Sequence, residues 1–150
     1  MKPRMNFYQA APETIKALVA LETQIQASGL EKSLIELVKT RASQINGCAY
    51  CINMHTADAR KQGETEQRLY LLSAWRESPL YTDRERAALA WTEALTMLTQ
   101  GVSDEVYAEV SAEFSEEELA YLSSAIAAIN VWNRFGVAYR WSPPARQAQA

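Results

Sequence analysis

Three side chains able to do thiol or imidazole chemistry fall in one segment, Asn46-Gly47-Cys48-Ala49-Tyr50-Cys51-Ile52-Asn53-Met54-His55. It holds both cysteines and the single histidine of the chain. On a helix, Cys48, Cys51 and His55 occupy positions i, i+3 and i+7 and share one face. The two sulfurs come within disulfide reach. His55 stands about 6 Å along the axis from Cys51 and about 10 Å from Cys48, so it would reach the nearer sulfur directly and the farther one through a water. A thiolate at a helix N-terminus gains from the dipole and the unpaired N–H groups, which lowers its pKa. That argument favours Cys48 as the more acidic thiol, whereas proximity to the base favours Cys51. Spacing leaves the choice open, but these are the ingredients of an activated dithiol.

Other uses of the pair fit less well. A closed zinc site wants four ligands, and with no third cysteine or second histidine the fourth would have to be a carboxylate or a partner's residue. Haem attachment requires histidine directly after the second cysteine, where Ile52 stands. Thioredoxin-type chemistry follows a strand in a βαβ unit, and no strand signal is present. No metal and no cofactor are therefore expected.

The elements that position this segment read as helices throughout. With 150 residues, 48% of them apolar, the chain has the size and content for one domain with one core. Its net charge is −3 and its basic residues are dispersed, so no surface for nucleic acid or an anionic membrane is expected. The start, Met1-Lys2-Pro3-Arg4-Met5-Asn6, lacks the apolar run of a signal peptide, and no stretch is long enough to span a bilayer. A cytoplasmic protein is expected, where C-x-x-C is catalytic or metal-binding rather than a staple.

Residues 1–10 are expected to form an extended arm. Pro12 opens a first helix with Ile15, Leu18, Val19, Glu22 and Ile25 at three-four spacing, stopped by Gly29. A second runs from about Glu31 to Gln44, ended by Asn46-Gly47, and a third from Cys48 to before Gly63. Thr65 caps a fourth that ends before Pro79. The capping box Thr82-Asp83-Arg84-Glu85 opens a fifth reaching toward Gly101, and Ser103 caps a sixth. A second box, Ser115-Glu116-Glu117-Glu118, opens the longest helix, which is expected to falter near Gly136. Residues 142–150 read as a flexible or strapped tail. The expectation is one all-α domain over 1–150, with six or seven helices and the C-x-x-C at the N-terminal end of a central one.

The run Ser43-Gln44-Ile45-Asn46-Gly47-Cys48-Ala49-Tyr50-Cys51-Ile52-Asn53-Met54-His55-Thr56 resembles the AhpD-like alkyl hydroperoxidase branch of the carboxymuconolactone decarboxylase superfamily. The likeness continues through Trp75-Arg76-Glu77, Glu85–Ala94 and Ile129–Arg134. Its motif is E-x11-C-x-x-C-x3-H, and Glu36 stands where the family carries a relay glutamate. The resemblance implies an all-helical thiol peroxidase that assembles as a homotrimer or homohexamer. Carried over, Cys51 attacks the peroxide and becomes a sulfenic acid, Cys48 resolves it as a Cys48–Cys51 disulfide, and His55 and Glu36 relay protons. An external dithiol then reduces the disulfide. One departure is Tyr50, where the best-known branch has a second histidine. Lactone-decarboxylating members lack the paired cysteines, so that activity fits less well. From another class, a redox-responsive oligomeric protein without turnover would use the same dithiol, and a metal-binding module is a third reading.

Away from the motif, Glu93 sits on an apolar helix and is expected to pair with an arginine such as Arg86 or Arg134. Trp75, Trp91, Trp132 and Trp141 read as core and interface anchors. Asn130, Asn133 and Arg134 are expected to make polar contacts between helices or subunits.

Overall fold

Local capping signals set the helix starts. In the computed structural model, which describes residues 2–143, Thr82 Oγ1 accepts from the Glu85 backbone N–H at 3.2 Å while Glu85 Oε2 accepts from the Thr82 N–H at 2.8 Å. The Ser115/Glu118 box closes the same way, at 3.2 and 2.9 Å. Thr65 and Ser103 cap their helices with single side-chain bonds. Such caps occupy backbone donors that a helix start leaves unpaired, at about 1 kcal/mol each.

Eight α-helices result among the described residues: α1 (Phe7–Ala10), α2 (Pro12–Gln26), α3 (Lys32–Asn46), α4 (Ala49–Lys61), α5 (Glu66–Leu71), α6 (Asp83–Thr96), α7 (Asp104–Glu113) and α8 (Glu116–Ala138). Short 3-10 turns cover Leu72–Glu77 and Leu98–Gln100, and no strand occurs among the described residues. No helix described is long and apolar enough to cross a membrane.

Helix α3 is the axis of the fold and packs against α4, α6 and α8. From Leu34 to Thr40 every residue is buried. Leu34, Ile35 and Val38 join Ile25, Ala88, Leu122, Ala125 and Ile126 in the main core. Leu37 turns to a second cluster with Leu72, Trp75 and Leu89. Alanines on α6 and α8 let these helices approach α3 closely. The buried hydroxyls of this helix are satisfied within it: Thr40 and Ser43 donate to the Glu36 and Lys39 carbonyls at 2.7 Å. A leucine such as Leu122, fully buried, contributes about 1.5–3 kcal/mol.

Four boundaries differ from the sequence expectation. The helix expected up to Pro79 is α only to Leu71 and then tightens to 3-10, with Ala74 non-helical. The helix expected to reach Gly101 ends at Thr96. The expected arm contains a helical turn at 7–10, because Phe7 is buried and stacks on Phe135 with ring centroids 4.1 Å apart. The fourth difference is at Gly136, which does not interrupt α8; the helix continues to Ala138. Of the expected tail, residues 144–150 lie outside the described residues.

Candidate active site

The C-x-x-C is presented by a helix end followed by a helix start. Gly47 adopts φ 68°, and the two bonds Cys48 N–H to Ser43 O (3.0 Å) and Gly47 N–H to Gln44 O (3.3 Å) close a Schellman turn at the end of α3. The chain leaves that turn with Cys48 as the N-cap of α4, its sulfur accepting from the Cys51 N–H at 3.3 Å. Asn46 is held from α8: its amide donates to Asn130 Oδ1 and Asn133 Oδ1, both at 2.9 Å. Asn133 in turn donates to Ser43 Oγ at 2.9 Å. The expected polar contacts of Asn130 and Asn133 are thus between helices, and they fix the loop that delivers Cys48.

Cys48 and Cys51 are joined as a disulfide, with Cα atoms 5.3 Å apart. Both are buried, at 1% and 2% exposure. The sulfurs pack against the backbone of α8 at Gly136. A Cβ at that position would stand 2.7 Å from Cys48 Sγ and 3.5 Å from Cys51 Sγ. Gly136 therefore makes room for the pair instead of stopping a helix. Only a residue without a side chain fits there.

His55 lies one turn beyond Cys51 on α4 and is buried beside Glu36 of α3, with Nδ1 2.8 Å from Glu36 Oε2. A carboxylate partner places the proton on Nδ1, which leaves Nε2 as the basic nitrogen of the neutral ring. All four residues singled out in the sequence therefore lie along the interface of α3 and α4, the cysteines at its loop end and the Glu36–His55 pair farther along. Glu36, read from sequence by register alone, is buried and paired rather than an exposed helix charge.

A cavity of about 300 Å³ opens on one of the two sulfurs. Cys51 and His55 line it and Cys48 does not. Its wall is otherwise largely aromatic, from Tyr8, Tyr50, Trp132 and Trp141. Trp141 packs edge-on to Tyr50 and stacks on Tyr8, with centroids at 5.8 and 5.3 Å. A second Schellman turn aims Trp141 back over the site: Trp141 N–H donates to Gly136 O at 2.9 Å and Arg140 N–H to Val137 O at 3.3 Å, with Arg140 at φ 58°. The N-terminal arm is tied to the same place, Arg4 N–H donating to Tyr139 O at 3.0 Å.

Two charged residues also line the cavity. Lys39, 3% exposed, donates to Glu22 Oε2, and Glu22 Oε1 accepts from Trp132 Nε1 at 3.1 Å. Glu22 interrupts the apolar stripe of α2 in the sequence, and that anomaly is the signal by which it could be found. Lys39 gave none beyond lying one turn after Glu36. Trp132 and Trp141, read as packing anchors, are cavity walls.

A separate charged group surrounds Glu93 on α6. Its carboxylate accepts from Arg41 Nε at 2.9 Å and Trp75 Nε1 at 2.8 Å, and also from Arg76. Burial pushes its pKa up, but these hydrogen bonds outweigh it and hold the carboxyl below its ordinary range. The arginines expected there are elsewhere: Arg86 donates to the carbonyls of Trp75, Ser78 and Arg76, and Arg134 to the Asn130 carbonyl. Arg41 and Arg76 reach Glu93 from other elements, which helix spacing on the sequence does not reveal.

Residues 12–94 match the model of the carboxymuconolactone decarboxylase family. YdfG of Bacillus subtilis (strain 168), an uncharacterised protein, is 44% identical over 139 residues, covering 92% of this chain and 95% of its own. The crystal structure of ATU0492 from Agrobacterium tumefaciens, a protein of unknown function proposed to be the antioxidant defence protein AhpD, superposes with a TM-score of 0.93. It is 46% identical, over 97% of this chain and 100% of that one. The debrominase Bmp8 superposes with a TM-score of 0.82 over 91% of this chain and 74% of its own. At 23% identity that likeness is one of fold.

Proposed function

This chain belongs to the carboxymuconolactone decarboxylase family as an AhpD-like member, and from that premise we propose that it is a thiol peroxidase working through a Cys48/Cys51 dithiol cycle. The observation that carries the reading is the cavity wall that joins Cys51 to His55, with His55 tied to Glu36 and Cys48 kept behind. It favours Cys51 as the attacking sulfur, where sequence spacing left the two sulfurs level.

In the proposed cycle His55 Nε2 takes the Cys51 proton, and Glu36 steadies the imidazolium that forms. The Cys51 thiolate attacks the terminal oxygen of R–O–O–H. An S–O bond forms, the O–O bond breaks, and the alcohol leaves with the proton held by His55. The Cys48 thiol then attacks the Cys51 sulfenic sulfur, water departs, and the disulfide closes. An external dithiol restores both thiols by exchange. The working form is proposed to be a homotrimer or homohexamer of single-domain chains.

Thiol titration and intact mass, before and after one equivalent of cumene hydroperoxide, test this on wild type, Cys48→Ser and Cys51→Ser. Wild type should lose two hydrogens, and a trappable sulfenic acid should form only where Cys51 remains. Sulfenic acid only where Cys48 remains would reverse the roles. Wild type that oxidises once and does not turn over with a dithiol would be a redox-responsive protein and no peroxidase.

A further inference from the structure

The relay uses Cys51, His55 and Glu36 and leaves unexplained an ion pair in the same cavity wall, a buried Lys39 on a half-buried Glu22. Lysine is almost never this buried unless it is paired, and Glu22 supplies the partner. Such a pair stabilises little compared with apolar residues of the same volume, because the lysine forfeits its hydration. Lys39 lies three residues beyond Glu36 on α3, so the two share a face of the helix that runs behind the site. Of the residues lining the cavity, Lys39 is the one lysine, and none is an arginine. One of its three N–H donors is spent on Glu22, and no hydrogen bond joins it to Cys51 among the described residues. Glu22 is fixed in turn by the Trp132 indole.

We propose that Lys39 is the hydrogen-bond donor to the oxygen that leaves when the peroxide bond breaks, and that Glu22, steadied by Trp132, keeps its ammonium at the cavity wall. The proposal rests on the peroxidase reading above. During attack the negative charge moves from the Cys51 sulfur to the departing RO⁻: the sulfur loses two electrons, and the peroxide oxygens gain them. RO⁻ then takes the proton that His55 removed from Cys51 and leaves as ROH. A donor stationed where charge arrives is felt more in the transition state than in the ground state, which is the condition for raising the rate. The aromatic wall screens such a donor poorly, so its effect is large. The need for it scales with the basicity of the leaving oxygen.

The test isolates the first step in a Cys48→Ser background. The rate of Cys51 sulfenic acid formation is followed for tert-butyl hydroperoxide, which expels a basic alkoxide, and for peracetic acid, which expels acetate. Rates are compared at the pH plateau where Cys51 is fully ionised in each variant, so a shifted thiol pKa does not enter. Lys39→Met should slow tert-butyl hydroperoxide about 100-fold and peracetic acid less than about tenfold. Lys39→Arg should recover part of the loss. Glu22→Gln combined with Lys39→Met removes the orphaned carboxylate. It should keep the helical signal and cooperative melting and show the same dependence on leaving group. Equal losses for the two oxidants in this folded double variant, or no loss, would overturn the role of Lys39. A parent protein that reacts with neither oxidant would instead sink the peroxidase reading beneath it.

Discussion

Two regions of the molecule use the same parts: a glutamate shielded from solvent, fully at Glu93 and partly at Glu22, a cation and a tryptophan indole. At Glu93 the carboxylate is saturated by Arg41, Arg76 and the Trp75 indole. At Glu22 it is shared between Lys39 and the Trp132 indole, one oxygen each. The first knots α3, α6 and the 3-10 turn at Leu72–Glu77 together and faces neither thiol nor histidine. The second shares a cavity with both. Residue types alone do not distinguish a structural knot from a working group. The neighbour across the gap does.

Exchanging matched carboxylates gives the sharpest contrast. Glu36→Gln should leave melting nearly unchanged and cut peroxide turnover about 100-fold, since His55 loses the partner that sets its tautomer. Glu93→Gln should do the opposite. It should cost about 2 kcal/mol in urea unfolding by leaving charged donors poorly matched, with turnover per folded molecule unchanged. Similar losses of turnover in both would erase the division between the regions.

A smaller effect is expected at the sulfurs. Gly136→Ala drives a methyl against Cys48 Sγ, and should cost about 1–2 kcal/mol in thermal or urea melts with reactivity altered as well. The smallest is the acid response. Glu93 has a depressed pKa in the folded state, so its stabilisation is complete above the unfolded value near 4 and is lost as pH falls through the folded one. Stability measured from pH 5 down to pH 2 should therefore fall less steeply in Glu93→Gln than in wild type.

How much of this was legible depended on range along the chain. Thr82 with Glu85, Ser115 with Glu118, and Gly47 before Cys48 carry their information within four residues, and each appears in the structure as expected. The α3 and α8 termini show where that legibility stops. Both end in the same pair of backbone bonds, but one places glycine in the left-handed position and the other places Arg140. Gly47 announced itself. Arg140 did not, so the return of Trp141 over the site went unread. Gly136 misled for a related reason: a glycine inside a helix reads as a weak point until the sulfur it accommodates, from a distant helix, is known. Tyr8, Trp132, Lys39 and Glu22 were not legible as a group because α1 packs on α2, α2 on α8, and α8 on α3 and α4, and only those contacts bring them together. The chemistry was local and the cavity was not.

The position of Gly136 and the tryptophans in α8 and its exit also bears on synthesis. Chains emerge from the ribosome N-terminus first. The motif segment is therefore made well before Gly136, Trp132 and Trp141 exist to cover it. A nascent chain halted before α8 exposes a bare dithiol to any disulfide in its surroundings. Completion of α8 is the event that turns a generally reactive pair of cysteines into a sheltered one.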